Sequence, residues 1–78
     1  MTESAYQTKL IKEYTQQGWY CLKLIQTNKN GIPDLLLLKP NEVVFVEVKS
    51  ATGVLSEVQK YRHEELRING FEVRTERP

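Results

Sequence analysis

Two carboxylates and an amine stand out in this sequence. Asp34 closes the run Gly31-Ile32-Pro33-Asp34, and further on Glu47 and Lys49 form a Glu-x-Lys step. Between them lie an apolar stretch over residues 35–38, the turn Lys39-Pro40-Asn41-Glu42, and a second apolar stretch from Val43. This is the pattern of an antiparallel hairpin. Adjacent strands run about 4.8 Å apart. A carboxylate entering one strand and another near the end of its partner can therefore share one hard divalent cation through oxygen. Lys49 lies two residues beyond Glu47 and projects from the same face. Its ammonium can there touch an attacking water or a charged phosphate oxygen.

Alternation along the third strand adds to the case. Val44, Val46 and Val48 point one way, and Val43, Phe45, Glu47 and Lys49 the other. The second set begins apolar, so its face is expected to be buried, yet it continues with charge. Burying unpaired charge is expensive, and a cleft for chemistry is one reason to do it. Taken singly, the residues have ordinary explanations. Pro-Asp is a common turn former. Glu-x-Lys at a strand end is often an ion pair. Glu3 near a helix start favours the helix dipole, and Gln59 serves as a cap. Asp34 together with Glu47 and Lys49 in hairpin register is the combination that points to a site.

The elements that would carry these residues are short. Residues 3–17 read as a helix, with Tyr6, Leu10, Ile11 and Tyr14 in one apolar stripe, Thr2 or Ser4 as the cap and Gly18 as the stop. Strands follow over residues 19–25, 35–38 and 43–49, with a polar loop over 26–31. The third strand is apolar at the start of both faces, which suits a central position. Ser56-Glu57-Val58-Gln59 has the form of a capping box, opening a helix to about Asn69 that stops at Gly70. Residues 71–75 read as a last strand. The order αβββαβ predicts an α/β fold, a small mixed sheet flanked by helices. Tyr6 and Tyr14 read as core, and His63 as a surface residue of the second helix.

With 78 residues the chain is expected to be a single domain with a small core. Its one cysteine, Cys21, excludes a disulfide framework, and with His63 as the only histidine it argues against a Cys/His zinc site. No apolar run is long enough to span a bilayer and no leader is evident, so a soluble, intracellular, cytoplasmic protein without a membrane partner is expected. The formal net charge is only +1, low for a protein that must neutralise phosphates. Committing Glu3, Asp34 and Glu47 to a cation would leave basic residues in excess.

Gly31-Ile32-Pro33-Asp34-Leu35-Leu36, Phe45-Val46-Glu47-Val48-Lys49, Gly53-Val54-Leu55-Ser56, Gln59 and Gly70-Phe71-Glu72-Val73 together resemble the VRR-NUC domain of the PD-(D/E)xK nuclease superfamily. The resemblance covers residues from Glu3 to about Arg74. It implies a restriction-endonuclease-like core and the stand-alone form of the domain found in phages and bacteria. It further implies that Asp34, Glu47, the Val48 carbonyl and Glu3 hold Mg2+ or Mn2+, and that Lys49 acts on the water or the developing charge. Gln59 would line the site. Lys23 matches a basic position that contacts phosphate, and Lys29, Lys60 and Arg62 are further candidates for DNA contact. The implied activity is Mg2+- or Mn2+-dependent DNA hydrolysis, selective for branched structures such as Holliday junctions or flaps, as in the similar junction resolvases.

Two other readings compete. One is a non-catalytic nucleic-acid-binding module with the same fold, against which the complete Asp34, Glu47 and Lys49 set argues. The other is a small structural protein whose charges are surface decoration. A homodimer is expected as well, because a small chain without staples gains from burying more apolar surface. Trp19, Tyr20 and the outer side of the first helix are its candidate surface.

Overall fold

Thr2 opens the first helix, α1 (Glu3–Gln16), by accepting the Ala5 backbone N–H on its hydroxyl at 3.1 Å. Of the two capping candidates, it is Thr2 and not Ser4 that acts. The structure, a computed structural model, describes residues 1–78. After α1 come β1 (Tyr20–Lys23), β2 (Leu35–Lys39), β3 (Glu42–Val48), α2 (Glu57–Ile68) and β4 (Glu72–Glu76). The strands form one sheet in the order β1-β2-β3-β4, antiparallel except for the parallel β3–β4 pair that α2 connects. The αβββαβ order and the α/β class are as the sequence predicts, with β3 central.

Alternation on the strands divides the sheet into two unlike faces. Leu35 and Leu37 on β2 and Val44, Val46 and Val48 on β3 are buried against Tyr6, Leu10 and Tyr14 of α1. Burying each leucine is worth about 1.5–3 kcal/mol. The Tyr6 hydroxyl also donates to the Arg77 carbonyl at 2.8 Å, which ties the chain's end to α1. On the opposite face α2 covers the Glu47 end of β3, and His63 is its one buried side chain. Towards the β2–β3 turn that face is open. Val43, expected to be buried, is 36% exposed, and Phe45 is half-buried against the edge of Phe71. The second helix is too short to cover both ends of the sheet.

Strand β1 is shorter than residues 19–25. The Leu24 N–H still reaches the Asp34 carbonyl at 2.8 Å. In the β1–β2 register the next residue, Ile25, faces Pro33. The ladder stops there and Ile25 is exposed. Trp19, expected in the strand, instead donates its N–H to the Tyr14 carbonyl at the end of α1, with the Lys39 ammonium 4.3 Å from its ring centre. The β2–β3 turn pairs Pro40 with Asn41 at φ 64, the residues a type II turn favours.

Gly31 sets the approach to Asp34. It takes φ 81, and a Cβ there would sit 2.7 Å from the Val58 carbonyl oxygen of α2. Gly70, just past α2, takes φ 92 with nothing within 4 Å of such a carbon. Gly70→Ala should therefore cost only the left-handed strain, about 1–2 kcal/mol. Gly31→Ala adds a backbone clash and should cost clearly more. Urea unfolding of both variants checks this, and equal losses would mean that the loop does not press on α2.

Candidate active site

Asp34 and Glu47 are brought together by strand register. Leu35 pairs with Val46, and one further step of that register sets Asp34 opposite Glu47. Buried Pro33 precedes Asp34. The Val48 N–H donates to Asp34 Oδ2 at 2.8 Å, so β3 itself fixes the side chain that β2 delivers. Glu47 is 2% exposed. Lys49 follows on the same face, half-buried, with its backbone N–H on the Glu76 carbonyl at 3.1 Å. Arg77 donates to the Gly53 carbonyl at 2.6 Å and steadies the loop just beyond.

Electrostatics make Glu47 unusual. Its carboxyl is pushed up from 4.5 to about 8. Burial is the main cause, followed by the hydrogen bond and negative charge of Asp34. Lys49 pulls in the other direction, and Glu3 adds to the rise. Two carboxyls thus face each other across the β2–β3 pair, and the charge of one disfavours ionisation of the other, buried one. The donor set fits a hard divalent ion in part: two carboxylates plus backbone carbonyl and water oxygens suit Mg2+ or Mn2+, which keep several waters. No three His, Cys, Asp or Glu side chains are grouped to hold a metal. Glu3, exposed at the start of α1, is thus not brought into a cluster with Asp34 and Glu47.

The remaining expected residues meet different fates. Gln59 completes the capping box: its Oε1 accepts the Ser56 N–H at 2.9 Å and its own N–H goes to the Ser56 hydroxyl at 3.2 Å. That leaves its side-chain amide as a donor. Arg62 is committed elsewhere, with Nε on the Asn30 carbonyl at 2.9 Å and Nη1 on Glu65 at 3.2 Å, pinning the loop before Asp34 to α2. Lys60 pairs with Glu57 on the exposed side of α2. Lys23 is exposed at the end of β1. Lys29 lines an open groove of about 400 Å³ that runs along residues 24–32 to Asp34.

His63 corrects the reading from sequence. It is fully buried and its Nε2 lies 3.1 Å from Glu47 Oε1. The signal was its place on the inner stripe of α2, at helical spacing from Gln59 and Leu66, both half-buried.

The family model for the VRR-NUC domain matches residues 6–76 of the 78. The chain belongs to the VRR-NUC family. VRR-NUC is a nuclease-type domain, and DNA is the partner that such a domain implies. A search of curated proteins finds no match to this VRR-NUC chain. No helix is long and apolar enough to cross a membrane.

The two shifted groups of the VRR-NUC site predict a pH signature. Glu47 binds its proton more tightly folded than unfolded, so its contribution is full below the ordinary value of 4.5 and is lost as pH rises towards about 8. His63 is shifted down, chiefly by burial and then by Arg67 and Lys49, so its contribution is lost as pH falls below the ordinary 6.5. The two oppose each other in acid, and Glu47 acts alone between 6.5 and about 8. Metal-free protein should lose stability across that window, and Glu47→Gln should flatten the loss. Thermal melts at several pH values in chelator check it; an unchanged slope in Glu47→Gln would reject the assignment.

Proposed function

We propose that this VRR-NUC domain is a Mg2+- or Mn2+-dependent deoxyribonuclease that cuts within branched DNA, such as Holliday junctions or flaps. The observation that carries this reading is the pairing of Asp34 with buried Glu47 by strand register, with Lys49 next on the same face. Asp34, Glu47 and the Val48 carbonyl would hold the cation. The chemistry that such an ion supplies when bound is Lewis-acid polarisation of a phosphate oxygen and a lowered pKa of bound water. Lys49 would place its ammonium on the attacking water or on the charge that develops on the phosphoryl oxygens. The groove beside Asp34, with Lys29 on its wall, offers a path for one strand. Lys49 adds a positive charge beside the carboxylates, whereas Lys23, paired with core Leu35, projects from the α1 side of the sheet.

Asp34→Ala or Glu47→Ala should abolish cleavage and weaken Mn2+ binding in calorimetry. Lys49→Ala should leave binding nearly unchanged and slow turnover about 100- to 1000-fold, as loss of one charge-stabilising donor does. A panel of four-way, flap and linear duplexes with and without Mn2+ reads out both activity and preference. Unchanged metal binding in the Asp34, Glu47 double variant would reject the site.

A homodimer is the assembly that the surface supports best. Tyr20, Leu22, Leu36, Leu38, Val43 and Phe45 share the face of the sheet that α2 leaves open. Tyr20 is 67% exposed, Leu22 38% and Phe71 beside them 40%. An apolar surface of this kind marks an interaction site. The outer side of α1, by contrast, carries no exposed large apolar side chain. A two-fold contact would set two active sites in fixed relation, as paired nicks in a junction need. Leu22→Glu should convert a dimer to a monomer in light scattering at micromolar concentration while leaving the melt cooperative. A wild-type protein that is already monomeric would remove this part of the proposal.

A further inference from the structure

His63 is wholly enclosed, yet only one of its two ring nitrogens has a partner. Nε2 faces Glu47 Oε1 at 3.1 Å, and Nδ1 is buried with no hydrogen-bond partner. A leucine would fill similar space without burying an unsatisfied nitrogen, so packing alone does not account for an imidazole. The bare nitrogen also fixes the tautomer. If Nε2 carries the proton, it donates to Glu47, and the unpartnered atom is only a lone pair. If Nδ1 carries it, a buried N–H is orphaned, which is the rarer and costlier case. The first arrangement asks only that Oε1 accept, at the 3.1 Å observed.

The consequence is geometric. A glutamate side chain on a strand can turn about its terminal bond, and a cation between Asp34 and Glu47 needs one oxygen of Glu47 aimed at it. We propose that His63 is a positioning residue for Glu47: as the neutral Nε2–H tautomer it holds Oε1 and so leaves Oε2 for the cation shared with Asp34. This rests on the two-carboxylate metal site proposed above. His63 sits one helical turn after Gln59 of the capping box, so the register of α2 is set at its first turn by Ser56 and passed to the ring.

The test compares His63→Leu, which fills the space without a donor, with His63→Gln, whose amide can supply an N–H at similar reach. Mg2+ and Mn2+ are titrated into each protein by calorimetry, with melts in chelator as the control for folding. His63→Leu should bind about 10- to 100-fold more weakly, the usual loss when the group that orients a ligand is removed. His63→Gln should recover most of that. Nitrogen NMR of the metal-free wild type, where His63 is the only histidine, should show Nε2 protonated and Nδ1 bare. A folded His63→Leu protein that binds metal like wild type would overturn the proposal, as would a glutamine variant no better than leucine. Should the leucine variant fail to fold, the spectrum decides alone, and a protonated Nδ1 overturns the proposal. Wild-type protein that takes up neither ion would refute the metal site itself, and the positioning role with it. Equal binding by wild type and His63→Leu refutes only the role of His63.

Discussion

A carboxyl group that keeps 2% of its surface in contact with water must find its partners inside the protein. Glu47 has Asp34 on one side and His63 on the other, and most of the chain's less ordinary features serve to keep those two in place. The Val48 N–H holds Asp34 through its carboxylate, and the Leu24 N–H holds it through its carbonyl. Gly31 and Arg62 bring the preceding loop hard against α2. The capping box starts α2 at a defined residue, so that the helix presents His63 and not a neighbour.

This arrangement spends cations on architecture. Arg62, Arg74 and Arg77 are all engaged within the chain, by Asn30 and Glu65, by Glu72, and by the Gly53 carbonyl. With a formal net charge of +1, little diffuse positive field remains to gather DNA. Contact with phosphate would fall to a few local groups, of which Lys29 in the groove and Lys49 beside the carboxylates are the best placed.

Much of this could be read from the residues. The hairpin, the central third strand, the capping box and the pairing of Asp34 with Glu47 are local or nearly local features, set by alternation of period two and by turn chemistry. What escaped was long-range. Nothing near His63 in the chain says that Glu47 lies above it, and a lone histidine among charged residues reads as solvent-exposed. The tie of Arg62 to the Asn30 carbonyl has no signature in sequence, because its acceptor is a backbone atom. The exposure of Val43 follows from where α2 lands on the sheet, which the strand's own pattern does not encode.

The two faces of the sheet have been given separate duties: one packs against α1 and carries the core, the other carries Asp34, Glu47 and Lys49. Because neighbours along β3 alternate between them, Val46 and Val48 flank Glu47 with opposite assignments. A slip of β3 by a single residue would drive the Glu47 carboxyl into the α1 core and turn two valines onto the face that carries Asp34. Stability and chemistry are therefore locked to the same pairing, and no misthreaded hairpin can retain one while losing the other. Selection against a malformed site is built into folding itself, and lengthening the Pro40–Asn41 turn by one residue is a change this chain cannot absorb quietly.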